Sequence, residues 1–369
     1  MSRMAPSTLA ELESAYAGRR VFVTGHTGFK GSWLTLWLTM LGATVCGYAL
    51  DPDTEPSLWE LLGLGEADGV EDVRADVRDL ETLRSAMADF EPDIVLHLAA
   101  QPLVLAGYED PVATYETNVM GTVNVLEAVR EVPSVRAVVV VTSDKCYENR
   151  EVPRYAYVES DPLGGFDPYS SSKGAAEIVT AAYRRSFFGE PGDARIASVR
   201  AGNVIGGGDW AADRLVPDAA RALAAGETVI VRNPEAVRPW QHVLEPLSGY
   251  LLTGARLLGA DGERYAEAFN FGPAMDSAVP VADVAEGFVA HWPGGSWVSP
   301  PRTGAPHEAR FLMLDWTRAR EKLGWEPVWG LASALEATAR WYAECYADPG
   351  RAGDLTRRDI AAYCDGGPE

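Results

Sequence analysis

Tyr169 and Lys173 lie four residues apart in Tyr169-Ser-Ser-Ser-Lys173. At that spacing two side chains share one face of a helix. A free phenol has a pKa of about 10 and is a poor base at neutral pH. An ammonium beside it favours the phenolate, which can take a proton from an alcohol while hydride leaves the carbon. A second group sits in Thr142-Ser-Asp-Lys-Cys-Tyr147, where Asp144 and Lys145 set an acid beside an amine and Ser143 adds a hydroxyl. The lysines carry information because the chain has 28 arginines and four lysines, and Lys30, Lys145 and Lys173 all fall inside such motifs. Where arginine is the default cation, a lysine points to a compact amine with a movable pKa. A third group, Trp210, Arg214, Arg232, Arg238, Trp240 and His242, gathers arginines and aromatics in an acidic chain. Arginine forks hold diphosphates bidentately and aromatic rings stack on bases. The plain alternatives are a Tyr/Lys pair on a solvated helix face, an exposed turn lysine and scattered surface arginines.

The elements that position these groups begin at residue 21. Val21 to Val23 reads as a short buried strand, Gly25, Gly28 and Gly31 follow at three-residue spacing, and the apolar run Ser32 to Leu41 reads as a helix. Strand, glycine turn and helix in that order suit a dinucleotide. The first glycine allows a tight turn, the second lets the backbone approach the pyrophosphate, and the third lets helix pack on strand. The helix N-terminus then offers free N–H groups to the phosphates. The spacing is GxxGxxG rather than GxGxxG, and a Gly-rich turn with no ligand is the alternative. The next strand, Thr44 to Leu50, ends at Asp51, about 20 residues past the last glycine, where an acid accepts both ribose hydroxyls and repels a 2′-phosphate. That favours NAD over NADP, against the alternative of a turn aspartate before Pro52.

Val73 to Val77 reads as a strand with Asp76 at its end, within reach of an adenine amine, and residues 79 to 90 as a helix. Asp93 to Ala100 is a strand leaving into small residues, which let a cofactor lie close. Residues 111 to 131 have helical periodicity, Ala137 to Val141 is a central strand, and a helix runs from Tyr169 to about Phe188. Ala194 to Val199 is a strand that exits into Arg200-Ala-Gly-Asn203. Later come helices over 243–259, 279–291, 315–323 and 331–346, a strand at Ala268 to Phe271, a Pro/Gly-rich loop over 294–305, and a polar tail after Asp348 that reads as peripheral. Alternating strands and helices predict an α/β fold, a doubly wound parallel sheet of Rossmann type with helices on both faces. Ligands bind beyond the carboxyl ends of such strands.

A chain of 369 residues has room for two domains, or for one large α/β unit with a smaller cap. The net charge of −21 argues against nucleic acid, whose phosphates would be repelled. The four cysteines form no CxxC pair, a reduced, intracellular pattern rather than a disulfide framework or metal site. The first 18 residues lack the apolar core of a signal peptide, and no stretch reads as a transmembrane helix. The expected compartment is the cytoplasm, with no membrane partner.

These residues carry a resemblance. The chain resembles the extended short-chain dehydrogenase/reductase family through Gly25, Gly28 and Gly31, through Tyr169 and Lys173, and through Arg200-Ala-Gly-Asn203. Within its nucleotide-sugar branch it is most similar to the CDP-glucose 4,6-dehydratases. The specific matches are Gly25-His-Thr-Gly-Phe-Lys-Gly-Ser32, Thr142-Ser-Asp-Lys-Cys-Tyr-Glu-Asn149, Asp167-Pro-Tyr-Ser-Ser-Ser-Lys173, Gly202-Asn-Val-Ile-Gly-Gly-Gly-Asp-Trp210 and Arg238-Pro-Trp-Gln-His-Val-Leu-Glu-Pro246. The resemblance covers residues 19 to 345 or so.

The resemblance implies conversion of CDP-glucose to CDP-4-keto-6-deoxyglucose plus water, by transient oxidation at C4, elimination across C5–C6 and hydride return to C6, with NAD recycled. Tyr169 takes the O4 proton beside Lys173, Asp144 is the acid for the C6 hydroxyl, and Ser143 holds substrate near O4. In dTDP-glucose dehydratases the turn carries an Asp-Glu pair; here Lys145 stands at the base position. It either removes the C5 proton, its pKa lowered by burial and by cations such as Lys173, or stabilises the enolate. Implied cofactor contacts are Gly25, Thr27, Gly28, Phe29, Lys30, Gly31, Asp51, Asp76, Val77, Leu98, Ala99, Ala100, Asn118, Tyr169 and Lys173. Implied substrate contacts are Gln101, Ser143, Asn203, Arg214, Arg232, Arg238 and His242, with no metal. The implied domains are a Rossmann NAD domain over 1–204, with a segment returning over about 240–272, and a smaller C-terminal α/β substrate domain over 205–239 and 273–369. A homodimer or higher homo-oligomer through the helices near 111–131 and 169–188 is implied too. The alternatives are a 4,6-dehydratase for a dTDP-, GDP- or UDP-hexose, a nucleotide-sugar 4-epimerase, which needs no acid–amine pair at 144 and 145, and a non-catalytic NAD-binding regulator.

Overall fold

The computed structural model describes residues 3–300 and 311–365. Seven strands form its main sheet: β1 Arg20–Thr24, β2 Thr44–Ala49, β3 Val70–Arg74, β4 Ile94–His97, β5 Ala137–Val141, β6 Arg195–Ala201 and β7 Ala268–Phe271. They lie in the order β7-β6-β5-β4-β1-β2-β3, every pair parallel. The order reverses between β1 and β4, the switch point at which such sheets open a crevice for ligands.

Side chains alternate between the two faces. Val21 and Val23 face a core with Trp33, Trp37, Leu247 and Leu251 from the helices Phe29–Met40 and Leu244–Leu258. Phe22 faces the other core, with Leu83 and Met87 of the helix Leu80–Phe90 and Val125 and Leu126 of Gly121–Glu131. The doubly wound α/β fold anticipated from the alternation is therefore present, with helices on both faces.

Several elements differ from the sequence reading. β3 starts three residues early, so Asp76 and Val77 lie in the turn after it. It is the sheet edge, where Glu71 and Asp72 are tolerated and hide the strand from a search for apolar runs. The helical stretch 111–131 carries a π turn at Glu116–Met120. A second sheet joins Val237–His242 to Asn203–Ile205 in parallel and to Ala278–Pro280 in antiparallel, none of them anticipated, and the helix expected from 279 starts at Val281. In the expected loop 294–305, Trp297–Val298 pairs with Val229–Ile230; residues 301–305 lie outside the described residues. The tail is not peripheral. Ala352–Asp365 is a helix whose Leu355, Ile360 and Tyr363 are buried. Tyr363 meets Trp37 edge-on at 5.9 Å, and Met4 N–H donates to its carbonyl at 3.1 Å. All four cysteines are buried free thiols. Among the described residues no helix is long and apolar enough to cross a membrane.

Candidate active site

A cavity of about 1090 Å³ opens over the carboxyl ends of β1, β4, β5 and β6. Its floor under β1 is the glycine turn. Gly25 has φ +76, and a Cβ there would meet Ala99 N at 2.7 Å. A Cβ on Gly31 would lie 2.1 Å from the Gly25 carbonyl, whereas one on Gly28 would meet nothing nearer than that carbonyl at 3.5 Å. Gly25 and Gly31 thus close the turn, and Gly28 leaves free space on the cavity side. The helix Phe29–Met40 starts from Gly28 with no side-chain cap, and its first residues line the cavity, so its free N–H groups are available to an anion. Thr27 braces the turn by donating to Leu50 O at 3.0 Å. Asp51, Asp76, Val77, Leu98, Ala99 and Ala100 line the same arm. The Asp51 carboxylate is mostly exposed, 3.4 Å from Arg74, while Arg78 beside Asp76 holds that carboxyl below its ordinary range. This cradle, with small residues opposite and an acid at its far end, fits an extended dinucleotide.

The reacting groups meet beyond β5 and at the start of the helix Pro168–Phe187, whose N-cap Asp167 accepts from Ser170 N–H. Ser143, Asp144, Lys145, Tyr169 and Lys173 all line the cavity. The Ser143 hydroxyl donates to Asp144 Oδ1 at 3.0 Å and accepts Lys145 N–H at 3.2 Å. Burial pushes the Asp144 carboxyl above its usual range, against Lys145, the Ser143 hydrogen bond, Arg238 and Lys30. A shift in that direction favours the form that can donate a proton. Tyr169 departs from the expectation of a lowered pKa: burial pushes it up to about 12, opposed first by its hydrogen bond with Ser143. Lys173 instead donates to Val141 O at 3.3 Å. Burial, then the charge of Lys30, lowers Lys173 to about 8.

Asn203, Arg214, Arg232 and Arg238 line the other arm with Trp210 and Trp240. Arg214 pairs with Asp209 at 2.8 Å, and Arg232 with Asp213 and with Asp218, the latter at 2.9 Å. Three expected contacts do not line the cavity. Gln101 is turned to Thr114 Oγ1, 2.9 Å away. Asn118 is a buried strut donating to Gln101 O at 3.1 Å and Ser172 Oγ at 2.8 Å. His242 is buried between Trp33 and Trp329, and its burial lowers it to about 3. Lys30, expected at the cofactor, also faces Arg214, Asp144 and Asp209.

Sequence reading missed the network beneath the site. Glu177 accepts from Thr142 Oγ1 at 2.5 Å, Ser198 Oγ at 2.7 Å and Arg200 Nη2 at 2.8 Å. Arg200 in turn donates to Tyr147 Oη at 2.6 Å. The available signal was Glu177 one turn after Lys173 on the same helix face. Among the described residues no cluster of three His, Cys, Asp or Glu side chains is placed to hold a metal ion.

A parallel sheet in this order, a glycine turn at its switch point and a Tyr–Lys pair over its carboxyl edge define an extended short-chain dehydrogenase/reductase. The family model described as GDP-mannose 4,6 dehydratase matches residues 22–338, and the chain belongs to that family. It is 52% identical to the CDP-glucose 4,6-dehydratase of Salmonella typhimurium over 332 residues, which is 89% of this chain and 91% of that one. It is 30% identical to a UDP-glucose 4-epimerase of Mycolicibacterium smegmatis, over 88% of this chain and 98% of the relative. Among solved structures, the dTDP-glucose 4,6-dehydratase of Streptomyces venezuelae with NAD bound superposes with a TM-score of 0.72 at 25% identity, covering 88% of this chain and 97% of that chain.

Proposed function

We propose that the protein is an NAD-dependent CDP-glucose 4,6-dehydratase, forming CDP-4-keto-6-deoxyglucose and water. The observation that carries this is the acid–amine pair of buried Asp144 and half-buried Lys145 in the cavity that also holds Tyr169 and Lys173. An epimerase needs the second pair alone. The relative at 52% identity supports the cytidine nucleotide.

The glycine turn holds the pyrophosphate, and Asp51 receives the adenosine ribose. When bound there, NAD would supply the acceptor for the C4 hydride and the donor for its return to C6. Tyr169 accepts the O4 proton, with that phenol kept in place by Ser143. Lys173, at about 8, is largely an ammonium at neutral pH. Asp144 gives its proton to the C6 oxygen. Lys145 takes the C5 proton and returns it. Arg214, Arg232 and Arg238 grip the diphosphate, exchanging carboxylate partners for phosphate where they have them. Gln101, Asn118 and His242 act behind the cavity wall.

We also propose a two-lobe division near residue 204, with the small sheet of Asn203–Ile205, Val237–His242 and Ala278–Pro280 at the junction. A homodimer is supported by exposed Val112, Tyr115, Met120, Ile178 and Phe187 on the helices near 111–131 and 168–187. The four buried free thiols support a reducing cytoplasm.

Purified protein with NAD is incubated with CDP-, dTDP-, UDP- and GDP-glucose separately, and loss of water is followed by mass spectrometry. Loss from CDP-glucose alone is expected. Loss from another nucleotide only would overturn the cytidine assignment; loss from none would overturn dehydration. Lys145→Met is expected to bind NAD and not turn over.

A further inference from the structure

His97 ends β4, one residue before the cavity wall begins at Leu98, and no step of the reaction uses it. Its ring is buried with both nitrogens hydrogen-bonded. Nδ1 lies 2.7 Å from Thr24 Oγ1, and Nε2 lies 3.2 Å from Thr122 Oγ1. Thr24 is the last residue of β1, directly before the glycine turn. Thr122 belongs to the helix Gly121–Glu131.

The protons on this line have one consistent arrangement. A threonine hydroxyl has one proton and two lone pairs. Thr122 donates its proton to Asn118 O at 2.8 Å, so toward His97 it can only accept. The ring proton therefore sits on Nε2. In a neutral ring Nδ1 is then an acceptor, and Thr24 gives it the hydroxyl proton while accepting Ala99 N–H at 3.1 Å. Burial first, and then the charge of Lys173, push the imidazole down to about 3, which keeps it neutral at neutral pH.

The line continues at both ends. On the Thr24 side, Ala99 lines the cofactor arm and packs on the glycine turn, where a Cβ on Gly25 would meet Ala99 N at 2.7 Å. On the Thr122 side, Asn118 Oδ1 accepts Gln101 N–H at 2.9 Å, and its amide donates to Ser172 Oγ at 2.8 Å. Ser172 in turn donates to Tyr169 O at 2.7 Å. Thr24, His97, Thr122, Asn118 and Ser172 are all buried, so bulk water does not compete for these bonds.

We propose that His97 is a positioning residue for the oxidation step: in its Nε2–H form it fixes the separation between the glycine turn, where the cofactor is held, and the helix that carries Tyr169. The phenol and the cofactor must meet on one C4–O4 unit of the sugar, so their spacing matters more to the rate than to the binding of substrate. A ring proton moved to Nδ1 would set two lone pairs against each other at Thr122 and leave the Thr24 proton without its acceptor. The proposal rests on the dehydratase reading only through its first step, loss of the O4 proton and the C4 hydride.

Nitrogen-15 NMR of histidine-labelled protein reads the ring without catalysis. The His97 signal, assigned by its loss in His97→Gln, should show a protonated, slowly exchanging Nε2 and a bare Nδ1. A proton on Nδ1, or two exchanging forms, would overturn the proposal before any rate is measured. Thr122→Val then cuts the line with little change of shape, and Thr122→Ser keeps it. Stopped-flow absorbance follows transient reduction of the nicotinamide in NAD-loaded protein with excess CDP-glucose. Thr122→Val should slow that phase at least about tenfold, since a displacement of about 1 Å costs about 10²-fold, and should lower kcat far more than it raises KM. Thr122→Ser should recover most of the loss. His97→Gln keeps a donor for Thr122 and loses the acceptor for Thr24, so it should be slow in the same phase and serves if Thr122→Val does not fold. An unslowed phase, a loss that serine does not recover, or a rise in KM alone would overturn the positioning role. Nicotinamide reduction without release of water from CDP-glucose in the unaltered protein would instead sink the dehydratase reading and leave His97 in its role.

Discussion

Replacing Glu177 by glutamine tests whether the buried network under the site holds both the fold and the charge of Lys173. Glu177 and Arg200 are each only 3% exposed and 2.8 Å apart. Burial alone would raise this carboxyl, yet Arg200 and its hydrogen bonds hold it below the ordinary range. Removing one member of such a pair costs about 3–5 kcal/mol, because the other charge stays buried without its counter-ion. Arg200 keeps Tyr147 Oη as an acceptor at 2.6 Å, which puts the loss at the low end, about 3 kcal/mol. Urea unfolding followed by fluorescence of the eleven tryptophans measures it. Glu177→Gln with Arg200→Met removes both charges and should recover most of the loss. The same variant has a catalytic signature. Lys173 is lowered by burial and by Lys30, and Glu177 opposes both. Without Glu177, Lys173 falls below about 8 and loses its charge at lower pH. The alkaline limb of kcat should therefore move to lower pH. A stability loss under about 1 kcal/mol, the value of an exposed pair, together with an unmoved alkaline limb, would refute the reasoning.

Three further outcomes follow from particular contacts. Gly31→Ala drives a Cβ to 2.1 Å from the Gly25 carbonyl and should weaken NAD binding by more than about tenfold, or 1.4 kcal/mol; unchanged affinity by calorimetry would remove the turn from the cofactor site. Burial raises Glu245 to about 7, despite N–H donors at Trp329 and Val328. Its protonated form is the one the fold prefers, so its contribution is complete below the ordinary carboxyl pKa of about 4.3 and is lost as pH rises through about 7. Thermal midpoints should show a decline across that window in the unaltered protein that is missing in Glu245→Gln. Trp341→Ala empties a fully buried site where the indole donates to Thr356 Oγ1 at 3.1 Å, and should cost about 3–5 kcal/mol in urea unfolding.

What was legible in the sequence was local and periodic. The glycine turn, the alternation of strands and helices, and the four-residue spacing of Tyr169 and Lys173 each depend on neighbours in the chain. What was not legible depends on distant neighbours. Whether burial or an ammonium governs the Tyr169 phenol is decided by what covers it, and here burial prevails. His242 shares a strand face with Arg238 and Trp240 but sits past the cavity edge, under Trp33. Asn118 and Gln101 bind each other, because the π turn at Glu116–Met120 aims the amide at the loop after β4. The last helix reads as polar because Asp359, fully buried, is matched by Arg340 at 2.8 Å. A count of charged residues cannot tell a paired interior acid from a solvated one.

The bond between Met4 and Tyr363 has a consequence for how the protein is made. The helix Pro6–Tyr16 emerges early from the ribosome, with Leu12 and Tyr16 destined for the interior. Its neighbour Ala352–Asp365 emerges nearly a whole chain later. Until then the outer layer over Trp37 lacks Tyr363, and an apolar surface that the finished protein never shows is open to chaperones. Synthesis that stalls before Tyr363 would therefore leave a nascent chain with most of its sheet assembled and one wall missing. Chaperone occupancy profiled along the message should persist until that helix has cleared the exit tunnel and fall thereafter.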